Sequence, residues 1–251
     1  QAEPNGNFPT IKSPNPEEPE AFKIAIKQAK KNDGEIIIAT DADGDRLGVS
    51  IKDENQNFYL LNGNQIMVVI IHFLLEHWKK RGKLNGNQFI ATTIVSTPMI
   101  KKIASEYNVA YKETLTGFKW ISKLIEDFPD LEFIAGGEES HGYLIGEKVR
   151  DKDAISAALL ICEIENQMRK IGKSTYELLL ECYKKFGAHK ERLISFVKKG
   201  KEGINQIDRR MNNFRKSPPK FIDGIPIIQI KDYEKGFSFN LSNKINTKIN
   251  L

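Results

Sequence analysis

Cysteine is nearly missing from this chain: Cys162 and Cys182 are the only two in 251 residues. Neither sits in metal-type spacing, which excludes a disulfide-stapled fold or a cysteine zinc site and fits a reduced, cytoplasmic setting. Long apolar runs are missing too. The longest, Ile66–Leu75, is interrupted by His72 and falls well short of the roughly 20 residues that cross a bilayer, so no membrane partner is expected. No signal peptide is visible, which leaves the Asn240-Leu-Ser242 sequon without a route to glycosylation. Basic blocks interleaved with aromatics are absent as well. Lys and Arg number 38 against 33 Asp and Glu, a net +5, but the lysines are scattered, so nucleic acid is not an expected partner and anionic small molecules are. No internal repeat appears. The first residue is Gln1 rather than Met, and a fragment is the expectation.

What is present is enough for a packed core, with 40% hydrophobic and 9% aromatic residues. Residues 1–20 are rich in Pro and Asn, and Ser13-Pro-Asn-Pro-Glu-Glu-Pro19 reads as an extended loop. Phe22, Ala25, Ile26 and Ala29 recur at helical spacing until Gly34 stops them. Strands are expected over Glu35–Thr40, near Leu47–Ile51, and over Gln88–Val95, Val109–Glu113 and Leu131–Ala135. Helices are expected over Asn64–Arg81, after Thr97-Pro98, and over Phe118–Asp127 and Ala154–Ile171, with helical pattern continuing to Phe186. The alternation predicts an α/β chain of layered domains with mixed, largely parallel sheets, whose active sites lie at strand C-terminal ends. Beyond that, Lys190–Val197 reads as a strand, Gly203–Phe214 as a helix broken by Ser217-Pro-Pro219, and Ile225–Ile230 as the opening of a further domain. The polar tail from Ser238 shows no finished element.

One run carries most of the chemistry. Ile36–Thr40 delivers Asp41, Asp43 and Asp45, and Arg46 follows at once. An extended chain would scatter alternate side chains, but Gly44 lets the backbone curl so that three carboxylates converge. Oxygen-only ligation of that kind suits Mg²⁺, and Arg46 adds a planar fork suited to phosphate. An EF-hand loop is excluded, because its sixth and twelfth positions would fall on Arg46 and Lys52. A haloacid dehalogenase-like phosphatase, with Asp41 as nucleophile and Asp43 as acid/base, usually follows that pair with Thr or Val, where this chain has Asp45. A plain polar turn is disfavoured because carboxylates packed so closely repel without a cation.

Three further segments offer chemistry. Gly136-Gly-Glu-Glu-Ser-His-Gly142 follows a strand, and Glu138 and Ser140, two apart, suit vicinal sugar hydroxyls. Thr114-Leu-Thr-Gly-Phe-Lys-Trp120 places Gly117 and Lys119 at a helix start, where backbone N–H groups favour anions. Val149-Arg-Asp-Lys-Asp153 offers Asp153 as an N-cap. Its Lys152 is a solvated charge or an acid/base with a pKa lowered by neighbouring cations. His72, His77 and His189 show no ligand spacing.

Taken in order with Phe8-Pro-Thr-Ile-Lys-Ser-Pro-Asn-Pro-Glu17, the acidic loop and these segments resemble the α-D-phosphohexomutase superfamily over residues 1–235. The sugar-loop wording looks closer to phosphoglucomutase-type than to phosphomannomutase-type members. The resemblance implies four domains around one cleft, with catalysis through a phosphoserine and a glucose 1,6-bisphosphate intermediate. It implies a hexose phosphate substrate and Mg²⁺ on Asp41, Asp43 and Asp45, with Arg46 steadying the phosphoryl group. Glu138, Ser140, Lys119, Gly117 and His141 would contact substrate, and Lys152 would serve as acid/base. On this view residues 1–55 end the second domain, 56–186 form the third, and 187–251 hold a linker and the start of an incomplete fourth. The family's nucleophile motif, Thr-Ala-Ser-His-Asn-Pro, and its Arg-x-Ser-Gly-Thr-Glu-Pro phosphate loop are both absent from the sequence. The expectation is a mutase fragment that is inactive alone, of undetermined oligomeric state.

Overall fold

The computed structural model describes residues 5–191 and 197–249. They fall into two compact units, Gln1–Lys190 and Glu191–Leu251, and each is described by itself.

The first unit opens with α1 (Pro19–Lys31), started by its proline and anchored by buried Phe22. Three strands follow, β1 (Ile36–Thr40), β2 (Leu47–Lys52) and β3 (Phe58–Leu61), in an antiparallel sheet of order β1-β2-β3. Helix α2 (Gly63–Lys80) begins at a reciprocal capping box between Asn62 and Gln65. It is buried along most of its length, from Gly63 to Leu75. A second sheet contains β4 (Gln88–Thr93), β5 (Ala110–Thr114), β6 (Glu132–Gly137) and β7 (Tyr143–Ile145) in the order β5-β4-β6-β7. Strand β4 runs parallel to β5 and β6, with crossovers through α3 (Met99–Glu106) and α4 (Phe118–Asp127); β7 returns antiparallel. Two helices, α5 (Ala154–Lys170) and α6 (Thr175–Phe186), complete the unit.

Every residue of β4 is buried, and its alternation divides the core in two. Ile90 joins Ile134, α2, α5, α6 and the inner residues Leu47, Val49, Ile51 and Leu61 of the first sheet. Phe89 and Ala91 join Phe133 and Leu144 beneath Phe118, Ile121 and Ile125 of α4. The mixed α/β layering is as expected, and its parallel part is confined to β5-β4-β6. The four-residue β3 and three-residue β7 do not stand out in the sequence, being too short to show an alternation.

The second unit holds α7 (Gly200–Lys216), a short hairpin of β8 (Phe221–Ile222) and β9 (Ile225–Pro226), and an antiparallel sheet of β10 (Gln229–Asp232), β11 (Phe237–Asn240) and β12 (Asn246–Lys248). Arg215 of α7 donates to Asp232 at 2.9 Å, tying the helix to β10. The expectation of no finished element beyond Ser238 is corrected. Strands β11 and β12 pair there through backbone bonds that do not depend on the polar side chains. The strand expected over Lys190–Val197 lies mostly outside the described residues. Among the described residues no helix is long and apolar enough to cross a membrane.

Candidate active site

The acidic loop springs from the end of β1. Gly44 adopts φ +71°, a conformation L side chains rarely tolerate, and its N–H closes a turn on the Asp41 carbonyl. Asp41 Oδ1 then accepts the backbone N–H groups of Asp45 and Arg46 at 3.2 and 3.1 Å. This folds Asp41, Asp43 and Asp45 together, with one oxygen of each within 4.8 Å of the others. Ligands about 2.1 Å from a Mg²⁺ ion lie at most about 4.2 Å apart, so the trio needs only slight closure to hold one. The donor set, all oxygen and all anionic, fits a hard divalent cation.

Arg46 lies across this trio. Its Nε donates to Asp41 Oδ2 at 2.5 Å and its Nη1 to Glu17 Oε1 at 3.2 Å, with Asp45 at 3.9 Å. Burial pushes the Asp41 carboxyl up, but hydrogen bonds from the Arg46 backbone and side chain outweigh it and hold the group below its ordinary range.

Lys152 reaches the loop from the other side. The start of α5 abuts the acidic loop, Ala154 N–H donating to the Gly44 carbonyl at 3.2 Å, and Asp153 caps that helix as expected. Lys152 Nζ pairs with Asp45 Oδ2 at 2.8 Å. Its stem crosses Gly142 so closely that a Cβ there would lie 2.3 Å from Lys152 Cδ, so any larger residue would push the lysine stem aside. The expectation of a pKa lowered by cations is corrected, because the neighbours are carboxylates. Burial pulls Lys152 down, but Asp45, Glu138 and Asp151 outweigh it and hold the ammonium above its ordinary value. In this arrangement Lys152 is held as an ammonium.

The sugar-type loop between β6 and β7 faces the acidic loop. Glu138 Oε1 accepts the Gly117 N–H at 3.0 Å, and burial raises the carboxyl pKa. Ser140 is half-buried in the turn, and His141 is buried, with burial lowering its pKa. His141 Nδ1 bonds to the Leu47 carbonyl at 3.0 Å while the Leu47 N–H donates to the His141 carbonyl at 2.9 Å. The histidine is thus a clasp between the β6–β7 loop and the start of β2, next to the acidic loop. Lys119 is exposed beside Trp120 and lines a hollow of about 360 Å³ with Arg150 and Asp151. The structure therefore brings Asp41, Asp43, Asp45, Arg46, Lys152 and Glu138 together, while Lys119 sits at the margin.

Sequence reasoning missed Glu17, Gly142 and Glu139, whose Oε2 accepts from buried Thr93 at 2.9 Å. Their partners lie 29, 10 and 46 positions away, beyond the reach of any local pattern.

Comparison with known proteins agrees with this geometry. Family models for phosphoglucomutase/phosphomannomutase match twice, alpha/beta/alpha domain II over residues 1–55 and alpha/beta/alpha domain III over residues 62–186. The chain belongs to the α-D-phosphohexomutase superfamily. It is 38% identical over 235 residues to a phosphoglucomutase of Staphylococcus haemolyticus, covering 93% of this chain and 42% of the relative. A phosphoglucomutase of Staphylococcus aureus is 34% identical over the whole chain, which covers 45% of that relative. The chain thus spans under half the length of these relatives. In fold it is similar to the Paramecium phosphoglucomutase parafusin (TM-score 0.58, 17% identity, 94% of this chain and 39% of that one). It is also similar to a phosphomannomutase structure from Thermus thermophilus (TM-score 0.55, 23% identity, 69% and 36%).

Proposed function

We propose that this chain is the metal-binding and sugar-reading part of a Mg²⁺-dependent phosphohexomutase that interconverts glucose 1-phosphate and glucose 6-phosphate. The observation that carries the reading is the position of Lys152, bonded to Asp45 of the acidic loop and held electrostatically by Glu138 of the sugar-type loop. One protonated amine thereby stands where phosphate-handling and hydroxyl-reading groups meet. Asp41, Asp43 and Asp45 would hold Mg²⁺, which supplies charge stabilisation for the transferring phosphoryl group. Arg46 steadies phosphoryl oxygens, Glu138 and Ser140 hold sugar hydroxyls, and Lys152 gives a proton to the departing oxygen. His141 positions the sugar-type loop, and Gly117 and Lys119 approach the substrate's rim. Hydroxyl contacts made by Glu138 and Ser140 suit a substrate that turns over as glucose 1,6-bisphosphate between two transfers. The two cysteines are unpaired, which fits a cytoplasmic setting.

The serine nucleophile and the last phosphate-gripping loop are supplied by sequence other than these 251 residues, so this chain alone is inactive. An Asp41-based phosphatase is disfavoured, since Asp41 has Oδ1 on two backbone N–H groups and Oδ2 on Arg46. Mannose phosphate is the competing substrate within the superfamily. The test is ³¹P NMR of this chain with glucose 1-phosphate, Mg²⁺ and a trace of glucose 1,6-bisphosphate, beside a longer chain of the relatives' full length that includes it. The expected result is silence from the first and glucose 6-phosphate from the second. Inorganic phosphate from this chain would overturn the mutase reading, and preference for mannose 1-phosphate would revise the substrate.

A further inference from the structure

Glu17 has no role in the proposal above, and its surroundings are unusually well built. Asn15 Oδ1 accepts the Glu17 N–H at 3.0 Å and the Asn15 carbonyl accepts the Glu18 N–H at 3.1 Å, so the segment is a formed turn. Pro16 is buried against β2, where a Cβ at Gly48 would lie 2.5 Å from the Pro16 carbonyl oxygen. From this seat Glu17 Oε1 meets Arg46 Nη1 at 3.2 Å, while Nε of the same guanidinium rests on Asp41 Oδ2.

That geometry sets up a conflict at Asp41. Its Oδ1 accepts two backbone N–H groups, which leaves Oδ2 as the oxygen with more capacity for a cation, and Arg46 Nε already rests on Oδ2. A dication and a guanidinium on one oxygen repel. We propose that Glu17 is a positioning residue that keeps Arg46 when Asp41 turns to a divalent cation. The guanidinium has five N–H donors and swings on its Glu17 contact, releasing Nε from Asp41 while its charge stays compensated. Without Glu17, Arg46 has Asp41 and Asp45 as its remaining carboxylate neighbours and competes with the metal. The inference rests on the reading of Asp41, Asp43 and Asp45 as a metal site.

The experiment is a titration of the 251-residue chain with Mn²⁺, following free Mn²⁺ by EPR. Glu17→Gln is expected to weaken binding about five- to tenfold, the scale of one charge-assisted contact, and Glu17→Asp to restore much of it. In an Arg46→Met background, Glu17→Gln is expected to change nothing further, because the effect travels through Arg46. Equal weakening in both backgrounds would show a through-space charge effect and overturn the proposal, as would a Glu17→Gln chain that binds like the original. A second readout does not need the Arg46→Met chain to fold. The ¹⁵N–¹H signal of Arg46 Nε is expected to shift on adding Mg²⁺ to the original chain and to stay nearer its starting position in Glu17→Gln. An unmoved Nε signal in a chain that does bind Mn²⁺ would also overturn it. If the unaltered chain binds no Mn²⁺, the metal site itself is wrong, and that outcome is visible before any variant is made.

Discussion

At the scale of the residue, Lys152 and a divalent cation want the same carboxylate. Nζ lies 2.8 Å from Asp45 Oδ2, so on the proposed assignment of Asp41, Asp43 and Asp45 as metal ligands the ammonium competes with the cation at Asp45. Lys152→Ala removes that competitor, and Mn²⁺ affinity is expected to rise about three- to tenfold by EPR titration, since a partly exposed pair contributes about 1 kcal/mol. A weaker affinity would mean instead that Lys152 holds Asp45 in its ligating pose. His72 makes a different prediction, away from the site. It is buried between Tyr107 and Phe186, with Nδ1 3.3 Å from the Tyr107 hydroxyl, and burial lowers its pKa, with Glu76, Glu181, Lys80 and Lys185 nearby. The unfolded chain therefore binds a proton that the folded chain refuses, so stability is full above about pH 6.5 and falls as pH drops below it. Urea melts at pH 7.5 and 5.5 are expected to show that loss, and His72→Gln to reduce it. The carboxylate trio was readable because Asp41, Asp43 and Asp45 lie within five positions around one glycine. The partners of Arg46 and Asp45 were not, because Glu17 and Lys152 arrive from distant turns.

At the scale of the element, helix α2 forms the middle of the first unit and depends on its start. Asn62 Oδ1 accepts the Gln65 N–H at 2.9 Å, and Gln65 Oε1 accepts the Asn62 N–H at 2.9 Å. Asn62→Ala is expected to cost about 1 kcal/mol in urea unfolding with little change in Mn²⁺ affinity, because the cap acts on the helix and not on the loops. The apolar periodicity and Gly82 placed this helix within a residue of its observed bounds. The hairpin of β8 and β9 turns on Asp223-Gly224, both at positive φ, a dipeptide signal that went unread because each strand has only two residues. Strands of two to four residues bury too little to impose a pattern on the sequence, and pairing partners decide them instead.

At the scale of the molecule, two family domains share one interior. Residues of β2 and β3, and of α2, α5 and α6, belong to a single buried cluster within Gln1–Lys190. Nothing in the sequence announced that fusion, since Leu47–Ile51 read only as a strand and Leu61 as part of no element. The second unit, by contrast, leaves Phe221, Ile222, Ile225 and Ile228 well exposed. A chain ending at Lys190 is expected to keep the main thermal transition and the Mn²⁺ affinity of the whole, checked by calorimetry and EPR titration. Loss of either would show that residues 191–251 support the first unit energetically.

The clasp between Leu47 and His141 spans 94 positions of chain. Closing so large a ring draws down chain entropy before any contact within the site compensates for it. The acidic loop and the loop between β6 and β7 therefore face each other only in a chain whose intervening sheet and helices have already folded. A small molecule that touches both walls recognises the finished fold and has no foothold on the unfolded one. Such a ligand would raise the melting temperature in proportion to the logarithm of its concentration, so that binding at the site and persistence of the fold become one quantity.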